Sequence, residues 1–206
     1  MFFKIISCHL SVRYIQTLER NNKILKTGCN RYLCGLMLFV LSCYGQATQL
    51  GEYFDSLPAF DKVYLLCETK NNKYVALYGN VDKESKPISL FYVYGGKNNP
   101  ELIYPSLDYQ DKKIPFEHRY YTRPFTSYLF ILFRNQSFLY TLGYEWEKGK
   151  ESLYLNVISS DSGKEYYFPC KKVKVNELSQ IAKYLSCNRT KDEAMGCLSS
   201  KESLGL

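Results

Sequence analysis

The sequence predicts a mainly β protein: an antiparallel sheet, barrel or sandwich of about eight strands with one C-terminal helix. Three observations carry this. Beyond residue 47 the chain divides into short runs rich in Val, Ile, Leu, Tyr and Phe, separated by Gly, Asn, Ser, Asp and Pro. Several of those runs alternate with a period of two, and a helical stripe emerges once, after residue 176. The 20 tyrosines and 12 phenylalanines also suit pleated, half-buried surfaces.

Residues 1–47 read as a leader. The thirteen residues from Tyr32 to Tyr44 carry no charge, follow Arg31 directly, and lead to the small residues of Gly45-Gln46-Ala47. These are the charged flank, apolar h-region and cleavage site of an export signal. The run is short of the roughly 20 residues that span a bilayer. Two alternatives attach the chain to a membrane: an uncut leader, with residues 32–47 as an inner-membrane anchor, or lipidation at Cys43, which Val40-Leu41-Ser42 precede as a lipobox would. A leader of 47 residues exceeds the usual length of about 15 to 30, so translation is expected to start near Leu25. Residues 48–206 then form a single exported β-rich domain with a C-terminal helix and tail.

The whole-chain charge of +7 invites a nucleic acid partner, but it is unevenly placed. Residues 1–47 hold six basic residues and one acidic, leaving 21 basic and 19 acidic in the 159 residues that follow. The basicity belongs mostly to the leader, and no nucleic acid partner is expected.

Taken in order, residues 48–61 are an irregular, aromatic lead-in. Lys62 to Cys67 and Lys73 to Tyr78 form a hairpin about Glu68-Thr69-Lys70-Asn71-Asn72. Ile88 to Tyr94 is a strand closed by a loop from Gly95 to Pro100, and Glu101 to Tyr104 is a short strand. Ser106 to Pro124 shows no period and reads as the longest loop. Thr126 to Phe133 is apolar enough for a central strand and pairs with Phe138 to Tyr144. Ser152 to Ile158 and Glu165 to Cys170 complete the set. Asn176 reads as a helix N-cap, with Leu178, Ile181, Ala182 and Leu185 forming a stripe over about three turns. Leu198 to Leu206 is expected to be disordered.

Cys67, Cys170, Cys187 and Cys197 lie beyond the leader, an even number that suits two disulfides in an oxidising compartment, with three connectivities open. The expected set joins Cys67 to Cys170, tying the ends of the sheet, and Cys187 to Cys197, pinning the tail. No metal site is expected, since closely spaced ligand pairs such as C-x-x-C are missing.

Cys67, Lys73, Leu77, Tyr92-Val93-Tyr94-Gly95, Pro100-Glu101-Leu102, Arg134-Asn135, Tyr140 and Cys170 together resemble small, mostly uncharacterised secreted or periplasmic β proteins of Gram-negative bacteria. The likeness covers roughly Val63 to Cys170, and in size and architecture it extends to the periplasmic lysozyme inhibitors. It implies a periplasmic or secreted location.

No catalytic residue or cofactor is assigned. The sequence lacks a nucleophile elbow, P-loop, dinucleotide fingerprint and H-E-x-x-H. The expected binding loops are Gly95 to Pro100, which holds Lys97, and Lys112 to Arg123, which offers His118, Arg119, Tyr121 and Arg123 as a cationic, aromatic contact region. These fit an exported, non-catalytic binding protein with a protein partner in the envelope or outside the cell, an inhibitor or immunity-like factor. The alternative functions are a cell-envelope glycan hydrolase, using Glu145 or Glu147 beside Trp146, and a membrane-anchored structural protein. Asn135-Gln136-Ser137 and Asn188-Arg189-Thr190 match the glycosylation acceptor pattern, which matters only in a eukaryotic host.

Overall fold

The computed structural model describes residues 50–55, 57–106, 108–109, 113–189 and 195–197; the expected leader, Lys112 and residues 198–206 fall outside them. Period-two alternation yields β1 (Lys62–Thr69), β2 (Tyr74–Val81), β3 (Pro87–Gly96), β4 (Asn99–Tyr104), β5 (Glu117–Arg123), β6 (Thr126–Asn135), β7 (Phe138–Glu147), β8 (Lys150–Ser159) and β9 (Glu165–Asn176). A short helix α1 (Leu178–Ala182) and a two-residue strand β10 (Ser186–Cys187) follow. The ten strands form one sheet in the order β10-β5-β6-β7-β8-β9-β1-β2-β3-β4. Every neighbour pair is antiparallel except β10 with β5.

The sheet curls into a half-barrel. Its curvature shows in contacts between strands distant in the order: α1 touches both β1 and β6, and Tyr104 of β4 stacks on Phe133 of β6 at 4.4 Å. Inside lies the main core, with Leu77, Tyr92, Phe116, Ile131, Leu142 and Ile181 among its fully buried members. Around Phe133 the rings of Tyr92, Phe116 and Tyr140 close the open side at 4.9, 5.2 and 4.7 Å. Stacked and edge-on rings therefore do there what hydrogen bonds do along the wall.

The outer face is treated differently on its two halves. Over β1, β2 and β3, a second cluster packs Val63, Leu66, Ala76, Tyr78 and Val93 beneath Leu50 and Phe54 from the lead-in. Residues of β2 thus alternate between the two cores, Val75 and Leu77 inward, Ala76 and Tyr78 outward. A register shift between Val63 and Leu65 lets the consecutive Tyr64 and Leu65 share the inner core. No such cover lies over β5–β8 among the described residues.

The mainly β class with one helix holds, with ten strands among the described residues where about eight were expected. Several expectations need correction. The expected loop from Gly95 to Pro100 is a turn at Lys97-Asn98 between paired strands, with Asn98 at φ +56°. Gly95 is required there, because a Cβ would collide with the Asn99 carbonyl oxygen and lie 2.7 Å from the Glu101 nitrogen. The long loop after Ser106 ends early, since Glu117–Arg123 is β5, paired along its length with β6. β9 continues to Asn176, so this residue ends a strand, and α1 spans five residues instead of three turns. The stripe itself is right: Leu178, Ile181, Ala182 and Leu185 are all buried.

Both expected disulfides form, Cys67–Cys170 and Cys187–Cys197, with Cα–Cα distances of 5.8 and 5.7 Å. The first does not tie the ends of the sheet. β1 and β9 are neighbours in its middle, so the bridge staples adjacent strands. The second clamps the chain along the outer edge of β5, where the Tyr120 N–H donates to the Gly196 carbonyl at 2.9 Å and the Gly196 N–H returns a bond at 2.8 Å. That covers an edge otherwise open to another strand.

Candidate interaction surface

Side chains on one strand alternate between faces, and this divides the expected site residues. In β5, His118 and Tyr120 point inward, whereas Arg119, Tyr121 and Arg123 point outward. His118 is 2% exposed, with Nδ1 3.1 Å from the Leu185 carbonyl. A carbonyl only accepts, so Nδ1 carries the proton. Burial holds the imidazole below its ordinary range, opposed by its bonds to the Leu185 and Ser186 backbone. His118 is a core histidine and presents no surface to a partner.

Arg119 is half-buried and donates through Nε and Nη2 to Asn188 Oδ1 at 3.0 and 2.8 Å, and Asn188 in turn bonds Glu117. Tyr121 stacks on Tyr128 of β6 at 5.7 Å, and the Arg123 guanidinium lies 5.9 Å from the Tyr121 ring. Lys97 is exposed in the β3–β4 turn, and β4 and β5 lie near opposite ends of the strand order. The structure thus groups Arg119, Tyr121 and Arg123 on one face and leaves His118 and Lys97 elsewhere.

The same face brings in residues of β6, β7 and β8. Tyr128 opposes Glu145, and Phe130, Gly143 and Tyr154 lie in one row across three strands. The Tyr128 hydroxyl bonds Glu147, which raises its pKa. Tyr154 donates to Glu145 Oε1 at 2.7 Å, and its phenol is raised by burial first and by that carboxylate second. Gly143 makes this possible: a Cβ there would sit 2.6 Å from Tyr154 Cε2, so only glycine lets the ring lie across the sheet. Pro169 of β9 takes the next place in the row, and the ring of Tyr167, diagonal to it, lies 4.9 Å from Tyr154 and is 55% exposed.

Period two also separates the acids from the indole. Glu145 and Glu147 face outward, whereas Trp146 packs against the inner core. The expected acid pair beside a sugar-stacking ring is therefore not assembled; tyrosines 128 and 154 hold the two carboxylates instead.

The sequence reading missed Phe125. It sits at the tip of the β5–β6 hairpin, 71% exposed, with φ +61°. A bulky residue in the left-handed region costs on the order of 1 kcal/mol, and an exposed ring gains no burial to offset that. Its carbonyl accepts from the Lys148 N–H at 2.9 Å, which joins this tip to that of the β7–β8 hairpin. The available signal was an aromatic residue directly after Pro124 in a turn. Two clefts of about 330 and 400 Å³ share Lys113, Ile114 and Ser186, and the first also reaches Glu117, Leu132, Arg134 and Leu139 at the far end of this same face. Among the described residues no cluster of His, Cys, Asp and Glu could hold a metal ion, and no helix is long and apolar enough to cross a membrane.

No protein-family model, curated protein or solved structure matches this chain, so its surfaces are described by their chemistry alone.

Proposed function

We propose that the chain is an exported binding protein of the cell envelope, of the inhibitor or immunity-like type. It captures a protein partner with the β5–β6 hairpin tip and the outer face of β5–β8. One observation carries the reading: Phe125 is held in water at an unfavourable φ at the tip of the hairpin whose strands carry the stacked pair Tyr121 and Tyr128, with the Arg123 guanidinium 5.9 Å from the Tyr121 ring. Exposed aromatics with an arginine are the residue types that dominate protein contacts. Two disulfides support an oxidising compartment.

The test separates folding from capture. Phe125→Gly removes the ring and relieves the backbone, so stability stays within about 1 kcal/mol of the parent. Recovery of partner from an envelope extract should fall at least tenfold, and Arg123→Glu should reduce it further. Undiminished recovery by the Phe125→Gly, Arg123→Glu double variant overturns the assignment.

A further inference from the structure

β9 changes partner half-way along its length, and the wall of the half-barrel opens where it does. Glu165–Pro169 pairs with Tyr154–Ile158 of β8, and Cys170–Asn176 with Leu65–Thr69 of β1. The two neighbours lie on opposite sides. Pro169 has no N–H to offer β8, and its carbonyl accepts from the Lys70 N–H at 3.2 Å on the β1 side. β8 itself runs back to Lys150, paired throughout with β7. Lys150–Leu153 and Cys170–Asn176 are therefore two strand segments that flank a notch and carry no pairing with each other.

The β9 side of the notch is basic and exposed. Lys171, Lys172 and Lys174 are all open to water, and Val173 between them is 47% exposed. Lys171 reaches Glu68 at 3.5 Å and the Lys174 ammonium lies 4.8 Å from the Tyr53 ring, while neither Lys172 nor Lys174 has an ion pair among the described residues. Lysines commonly guard a bare edge. Here they surround an apolar side chain, and the edge faces another strand end across the gap.

We propose that this notch takes an extended acidic segment of a partner protein, added as a strand to the free edge of β9. Main-chain bonds to β9 supply the pairing, acidic side chains meet Lys172 and Lys174, and an apolar side chain covers Val173. The site is separate from the hairpin tip and goes beyond the function proposed from it.

The probe is a capped peptide of alternating glutamate and valine, added to the intact disulfide-bonded protein. Binding should slow amide exchange within Lys171–Val175, and Lys171→Glu with Lys172→Glu and Lys174→Glu should weaken it at least tenfold. Those lysines are exposed, so the variant keeps its fold; near-ultraviolet circular dichroism checks this. A peptide of equal charge interrupted by prolines should bind at least tenfold more weakly, because it cannot form a strand. Equal binding of the proline peptide, equal binding by the charge-reversed protein, or no binding of the alternating peptide overturns the proposal. Phe125→Gly should leave peptide binding unchanged, which keeps this outcome distinct from that of the hairpin surface.

Discussion

The ring of Tyr154 lies over Gly143, and its hydroxyl donates to Glu145 at 2.7 Å. A missing side chain on β7 thus sets the position of a ring from β8 and, through it, of a carboxylate back on β7. Gly143→Ala should lift the ring, costing about 1 to 3 kcal/mol of stability. With burial and the carboxylate contact both reduced, the Tyr154 phenol should ionise closer to the ordinary value of about 10. Carbon NMR of ring-labelled tyrosine against pH checks this; an unchanged titration would show that the ring is held some other way.

The disulfides should rank by loop length. Cys67 and Cys170 are 103 residues apart, Cys187 and Cys197 only 10. Loop-closure entropy assigns about 4.7 kcal/mol to the first and about 2.7 to the second. Denaturant midpoints of the paired Cys→Ala variants should fall in that order. The opposite order would mean that the 187–197 clamp stabilises the β5 edge beyond its entropy.

His118 makes stability depend on pH. Its folded pKa lies below the unfolded value of about 6.5, so between the two the unfolded chain holds more protons. The contribution is complete above about pH 6.5 and declines as the pH falls below it. Urea midpoints measured from about pH 7 down to about pH 5 should decrease in the parent, and His118→Gln should flatten the part of the slope due to this residue. Equal slopes would mean that the imidazole gains a compensating partner when protonated.

Phe133 is where the aromatic closure converges, with Tyr104, Tyr140, Tyr92 and Phe116 all within 5.2 Å, centroid to centroid. Phe133→Ala should cost about 3 to 5 kcal/mol, and Phe133→Leu less. Amide exchange should accelerate most in β4, which sits at the sheet edge and is hydrogen-bonded to β3 alone. Uniform acceleration across the sheet would indicate global loosening instead.

Much of this architecture is written locally. The β1–β2 and β6–β7 hairpins follow from period two and turn residues, and the buried stripe from Leu178 to Leu185 from its spacing. β5 was hidden because its inward residues are His118, Tyr120 and Thr122, so neither face reads as apolar. The length of β9 was hidden for a related reason: Lys171, Lys172 and Lys174 suggest solvent, and they reach it through a strand edge. Pairing of β9 with β1 joins residues about a hundred positions apart, which no local pattern encodes. The opposite facing of Trp146 and Glu145 was legible in principle, but it required extending β7 through Glu147, where the alternating charges suggested a hairpin end. Of the candidate surface, Arg119, Tyr121 and Arg123 could be read from type and spacing. Gly143 and Phe125 gain their meaning only from the ring above one and the backbone angle of the other.

The Cys67–Cys170 bridge also has a mechanical consequence. All the strands from β2 to β8 lie between its two cysteines in sequence. A pull applied at Leu50 and Cys197 would be carried across the bond, leaving the 103-residue loop slack and about 360 Å of extended chain out of reach. Only the lead-in, the outer portions of β1 and β9, and the segment from the end of β9 to Cys187 can pay out, since the Cys187–Cys197 bridge carries the force past the rest. Whatever grips the hairpin tip grips a part of the molecule that tension on its ends does not stretch, and a reducing agent would release that hidden length at once.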